Sequence, residues 1–160
     1  MLLVNLYQFD FYGNFMKTTQ SAGYLINHLA RQFAILLGKQ LEPLGIAPAQ
    51  FPILLSLWEA DGLSQNELVE LADLKQATIA NTLARMERDG LIVRKDNPND
   101  ARSRLIFLSD TAKALQEPAT QIAQNINAGA LSVLDDDEKQ AFIEMMNKVL
   151  AKQKEMIQGL

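Results

Sequence analysis

Residues 64–108 read SQNELVELADLKQATIANTLARMERDGLIVRKDNPNDARSRLIFL, and the order of residue types in this stretch decides the fold. Ser64 with Glu67 three places on has the form of a capping box, in which hydroxyl and carboxylate reciprocally satisfy backbone donors at a helix start. The helix predicted from it runs to about Asp73 and buries Leu68, Leu71 and Ala72. A short turn through Leu74 lets a second helix begin near Lys75. Gly90 ends that helix, because glycine reaches the left-handed backbone conformation without steric cost.

Stepping about 100° per residue from Ile79 brings Leu83 and Met86 to the same side of the second helix and turns Ala77, Asn81, Arg85 and Arg88 away. An ordinary solvated face has that composition too, so the segment after the helix decides between the two. Leu91–Lys95 and Leu105–Leu108 are β-prone, with Asn97-Pro98-Asn99-Asp100 as a turn between them. Arg102 and Arg104 come just after the turn, where Asp96 and Asp100 could pair with them as surface ions. A winged helix accounts for both features at once: the second helix enters a major groove and the basic hairpin reaches the adjacent minor groove or its phosphates. On that reading Gln76, Ala77, Thr78 and Asn81 face base edges, with Asn81 suited to adenine because its amide both donates and accepts. Thr78 has a phosphate as its alternative partner. Arg85 and Arg88 are placed for phosphate, Arg102 for minor-groove insertion oriented by Asp100, and Arg104 lies beside it.

Together with Asp100-Ala101-Arg102, Gly90-Leu91-Ile92-Val93-Arg94 and Leu108-Ser109-Asp110-Thr111-Ala112-Lys113, this order resembles the multiple antibiotic resistance regulator (MarR) family of transcription factors, from about Ser21 to Ile157. The resemblance implies an obligate homodimer on a palindromic double-stranded DNA operator, usually a repressor released by a small ligand or a redox signal. An aromatic or phenolic ligand is the expected effector. One departure is Asn81, where many members carry arginine, which puts the identity of the base read there in question. The alternative function is a winged helix that docks on protein and not on DNA.

The 160 residues suit one domain with a dimerisation extension. The expected class is mainly α with a small β-wing: a winged helix-turn-helix domain with N- and C-terminal dimerisation helices. The division is 1–17 flexible leader, 18–46 N-terminal dimerisation helix, 47–109 DNA-binding domain and 110–160 C-terminal dimerisation helices. The leader MLLVNLYQFDFYGNF lacks the basic start and continuous apolar core of a secretion signal. Met16-Lys17 offers an alternative start, while the leader's aromatics offer a surface for a partner subunit. No run is long and apolar enough to span a bilayer, so no membrane partner is expected, and the expected location is the cytoplasm.

Net charge is −4, yet it is unevenly spread. Between Lys75 and Arg104 seven basic residues face four acidic ones, an excess of three positive charges that leaves the remainder at −7. Local potential, not total charge, attracts phosphate. Cysteine is absent, which excludes disulfides, thiolate metal sites and cysteine-based peroxide sensing. With a single histidine, no multi-histidine metal site is available. No glycine-rich phosphate loop, serine nucleophile motif or paired histidine-carboxylate signature is present, so neither catalysis nor a cofactor is expected. The run Asp135-Asp136-Asp137-Glu138 lacks the spacing of a calcium loop and reads as a helix start.

Outside the central stretch, apolar residues at threes and fours from Ser21 to Leu44 predict a long amphipathic helix, broken at Leu44-Gly45. Pro48 is expected in the first turn of the next helix, which carries Phe51, Leu54, Leu55 and Trp58 up to Asp61-Gly62. His28 is a surface or core histidine, and Phe51 and Trp58 are core aromatics. In the resembled family, effectors lodge between the dimerisation helices and the winged-helix lobe, which makes His28, Phe51 and Trp58 the ligand-pocket candidates. After the wing, Ser109 or Thr111 caps a long helix that Pro118 should bend. A last helix starts at Leu134-Asp135, with Phe142, Met145, Met146, Val149, Leu150 and Ile157 as its apolar residues.

Overall fold

The computed structural model describes residues 21–72, 74–100 and 102–159. The leader, the Met16-Lys17 start, the expected helix end at Asp73 and Ala101 of the wing motif lie outside the described residues. Ser21 accepts a hydrogen bond from the Tyr24 N–H and caps helix α1 (Ala22–Leu41). The helix stops at Leu41 and not at Leu44: Glu42–Leu44 tightens into a 3-10 turn that contains Pro43. Proline brings no N–H to continue the α-helical ladder. Gly45 then reverses the chain at φ 71°. Leu41 is the one fully buried side chain of α1, while Leu25, Ile26, Leu29, Ile35 and Leu36 are exposed.

Helix α2 (Phe51–Glu59) has Pro52 in its first turn, where Pro48 was expected. Pro48 sits in the turn before it, so close to α1 that a Cβ on Gly38 would stand 2.9 Å from its Cγ. Next come strand β1 (Leu63–Ser64), helix α3 (Gln65–Ala72), helix α4 (Gln76–Arg88) and strands β2 (Ile92–Asp96) and β3 (Arg104–Leu108). The expected two-stranded wing is a three-stranded antiparallel sheet in the order β1-β3-β2. Leu63 pairs with Ile106 and Ser64 with Leu105, and the hairpin runs from Ile92 opposite Leu108 to Asp96 opposite Arg104. A two-residue strand is too short for alternation to reveal it.

The core of this lobe is formed by Ile53, Leu54 and Leu57 of α2, Leu68 of α3, Ile79, Leu83 and Met86 of α4, and Ile92 and Ile106 of the sheet, all buried. Leu71 departs from expectation, at 60% exposed. Gln65, Val69 and Ala72, the half-buried residues of α3, all lie to one side of Leu68 on the helical wheel. They turn the packed arc away from Leu71.

Two shorter pieces replace the single long helix expected after the wing. Ser109 accepts from the Ala112 N–H and caps α5 (Asp110–Ala114), and the chain turns at Leu115 before α6 (Gln116–Ala130). The break falls where Pro118 was expected to disturb the helix: α5 ends at Ala114, four residues back, whose carbonyl a proline without an N–H cannot bond. Pro118 itself lies in the first turn of α6. Helix α7 (Asp136–Gln158) begins one residue later than expected, with Asp135 as its cap in a capping box with Glu138. Lys139, hydrogen-bonded to Asp136 at 2.9 Å, holds that carboxyl below its usual value.

The chain divides into two compact units, one ending at Ile122 and the other running from Ala123 to Leu160. The first holds the winged-helix lobe and α1. The second holds the end of α6 and all of α7, whose Met145, Val149, Leu150, Met156 and Ile157 are exposed.

Candidate nucleic-acid interface

Helix α4 presents two chemically opposite faces. Ile79, Leu83 and Met86 are wholly buried and Thr82 nearly so, the Thr82 hydroxyl donating to the Thr78 carbonyl at 2.9 Å. Gln76, Ala77, Thr78, Asn81, Arg85 and Arg88 are all exposed. Ala77 is the small residue of this set, and the arginines come toward the C-terminal end. Ala77, Asn81, Arg85 and Arg88 fall within about 80° of one another on the helical wheel, opposite Ile79, whereas Gln76 lies on the flank beside α3.

Both ends of α4 are tied to other elements. At the start, Gln76 Nε2 donates to Asn66 Oδ1 of α3 at 3.3 Å. At the end, the Asp89 carboxylate accepts from Gln50 Nε2 at 2.9 Å and from Arg88 Nε at 3.2 Å. Gln50 is 3% exposed, and its Oε1 accepts from the Ala47 N–H at 2.8 Å. A single buried amide thus satisfies the loop before α2 and anchors the end of α4. Glu87 pairs with Arg94 of β2 at 3.2 Å, joining α4 to the base of the wing.

The wing turn is held by its own polar side chains. Asn97 accepts from the Asn99 N–H at 2.9 Å and donates from Nδ2 to Ser103 Oγ at 2.8 Å. Asp100, expected to orient Arg102, bonds to it through the backbone: its Oδ1 accepts from the Arg102 N–H at 3.0 Å. It fixes the turn that carries Arg102, because a short carboxylate two residues back reaches the amide before it reaches a long side chain. Arg104 pairs with Asp96 at 3.7 Å across the strand ends. Arg85 and Arg102 have no ion pair among the described residues, which leaves both charges available to a polyanion.

Between the start of α3 and the wing lies a polar cleft enclosing about 570 Å³, with Asn66, Glu67, Arg94, Asp100, Arg102 and Arg104 among its walls. Ser64 and Glu67 form the expected capping box there: the Ser64 N–H donates to Glu67 Oε2 at 2.7 Å and the Glu67 N–H to Ser64 Oγ at 3.3 Å. The Ser64 hydroxyl first, and its backbone N–H second, hold the Glu67 carboxyl below its usual value.

The three ligand-pocket candidates have separate surroundings. Phe51 is buried and meets the Trp58 ring edge-on at 6.1 Å. The Trp58 indole N–H donates to the Ala112 carbonyl at 3.0 Å, so that pair fastens α2 to α5. His28 is exposed and stacks parallel to Tyr24, with centroids 6.1 Å apart. None of the three lines the wing cleft. Among the described residues no group of three or more His, Cys, Asp or Glu could hold a metal ion, and no helix is long and apolar enough to cross a membrane.

Sequence reasoning missed Gln50 and Asn66. Gln50 carries one weak signal: it precedes an apolar helix that has no serine, threonine or aspartate to cap it. Asn66 carries none, since a polar second residue of an exposed helix start is unremarkable until a partner is seen.

The MarR family model matches residues 46–103, the span from the loop before α2 to the wing turn. The organic hydroperoxide resistance transcriptional regulator of Bacillus subtilis (strain 168) is 33% identical over 111 residues, which cover 69% of this chain and 76% of that protein. Among solved structures, a mutant MarR from Escherichia coli complexed with operator DNA superposes with a TM-score of 0.75 at 29% identity, over 80% of this chain and 92% of that one. A MarR family regulator from Listeria monocytogenes complexed with 26mer DNA superposes with a TM-score of 0.74 at 27% identity, over 89% and 90%.

Proposed function

The chain belongs to the MarR family of transcriptional regulators, and on that premise we propose that it is a homodimeric repressor that reads a palindromic operator with α4 and the wing. The observation that carries this reading is the exposed face of α4. A helix whose opposite side is fully buried in the core presents Ala77, Asn81, Arg85 and Arg88 to solvent next to a wing whose Arg102 is not ion-paired among the described residues. The solved relatives on operator DNA and on 26mer DNA supply the kind of partner that fits.

In this reading Gln76, Ala77, Thr78 and Asn81 meet base edges in the major groove, and Arg85 and Arg88 meet phosphates. Arg102 enters the minor groove from a turn that Asp100 holds, with Arg104 beside it. Dimerisation is supported by the exposed apolar rows of α1 and α7, which are larger than a small wing lobe needs and suit a partner helix surface. A two-fold dimer places its two reading helices about 34–36 Å apart, one turn of DNA.

A small aromatic acid is the effector class. The exposed His28–Tyr24 stack offers it an aromatic surface, whereas Phe51 and Trp58 pack against each other. A chain without cysteine has no thiol for peroxide to oxidise, so release comes from ligand binding and not from thiol chemistry.

The test is selection from a random duplex pool with the purified protein, then mobility shifts and sedimentation. A two-fold symmetric consensus bound by a dimer, and weakened by phenolic acids, is the expected result. A monomer, or a protein with no preference among duplexes at low salt, overturns it.

A further inference from the structure

We infer that Asn66, on α3 and outside the base-facing helix, is a positioning residue for base recognition, setting how the Gln76 carboxamide is presented to DNA. The inference rests on the reading of α4 as the base-reading helix. Gln76 is the first residue of that helix, exposed, and its neighbouring cap residue Lys75 makes no side-chain capping bond. A free glutamine there would sample many rotamers and lose them all on docking. Asn66 Oδ1 instead accepts one Nε2 hydrogen of Gln76 at 3.3 Å.

The bond decides what remains. Gln76 keeps Oε1 as an acceptor and one Nε2 hydrogen as a donor, and adenine offers the complementary N6 donor and N7 acceptor in the major groove. Asn66 is itself well founded. It is the second residue of α3, whose first turn is closed by the Ser64–Glu67 box and continues directly from β1. It also lines the wing cleft alongside Arg102 and Arg104, and its Nδ2 has no partner among the described residues. That amide is left to donate to a backbone phosphate entering the cleft. One side chain thereby joins the phosphate grip to the base readout.

The test uses the full chain on its selected site and on every single-base variant of that site. Gln76→Ala is expected to cut discrimination at one A·T pair per half-site by about tenfold, the scale of a lost bidentate contact. Asn66→Ala should cut discrimination at the same pair, and the double variant should lose no more there, because the second change removes nothing still working. Asn66→Asp keeps the acceptor and should keep the discrimination, while lowering affinity for all duplexes through repulsion of phosphate. The inference is overturned if Asn66→Ala weakens every duplex by the same factor with discrimination intact, if the two single effects add, or if Asn66→Asp loses discrimination. A wild-type protein that selects no site removes the underlying reading; one that selects a site which Asn66→Ala still discriminates removes this inference alone.

Discussion

Gln50 and Asp89, 39 positions apart in sequence, are joined by a 2.9 Å hydrogen bond from the Gln50 amide to the Asp89 carboxylate. The donor is buried, and its other end accepts from the Ala47 N–H, so both halves of one amide are in use. Replacing it with alanine strands a carboxylate oxygen and a backbone donor together. Gln50→Ala is expected to lower stability by about 1–3 kcal/mol, the cost of leaving such groups unsatisfied, read by denaturant unfolding. Operator affinity should fall as well, because α4 loses the anchor at its C-terminal end. Unchanged unfolding would show that water replaces the amide at no cost.

Arg102 stands on a turn that Asp100 fixes through the backbone, and it has no ion pair among the described residues. Arg102→Ala should weaken operator binding by about tenfold or more and reduce the slope of log affinity against log salt by about one, since one phosphate-neutralising contact is lost. The fold should be untouched, as the side chain is exposed. Mobility shifts at several salt concentrations check both quantities.

Acidification should loosen the start of α3. Glu67 is held below its ordinary value by the Ser64 donors, so its ionised form contributes stability at neutral pH that is lost as pH falls through the lowered pKa. Glu67→Gln should flatten that acid limb of the stability profile. Because Glu67 is exposed the amplitude is small, and the larger effect belongs to the cap: Ser64→Ala should cost about 1 kcal/mol at neutral pH, measured by thermal unfolding.

Gly62 is the residue least open to substitution near the wing. Its φ is 84°, and a Cβ there would stand 2.7 Å from Phe107 Cε1. Gly62→Ala therefore combines a left-handed backbone with a clash against the ring that lies under Lys95, whose Nζ is 4.6 Å from its centroid. A loss of about 1–3 kcal/mol is expected on grounds of overpacking, visible in denaturant unfolding.

Much of this molecule is legible from residue order because its decisive signals are local. Ser64 with Glu67, Gly90 at φ 73° and the Ile79–Leu83–Met86 stripe each fix an element through contacts within a few residues. What the chain conceals depends on distant partners. Strand β1 exists because Leu63 finds Ile106, and Leu71 is exposed because of which side of α3 meets α2 and α4. Pro118 illustrates a third case, in which the residue type marks a helix disruptor but does not reveal its position in the turn. The exposed face of α4 is visible as a pattern, while the side chains that brace its ends, Gln50 and Asn66, are not.

Ser64 belongs to the sheet and to the helix cap at once: it pairs with Leu105 of the wing and its Oγ accepts the Glu67 N–H of α3. The arginine-bearing finger and the helix pair thus share a residue at their common root. In the proposed reading the two grooves of a duplex meet elements that share one root, so the width of its narrow groove should count in the choice of sequence even where no base is touched.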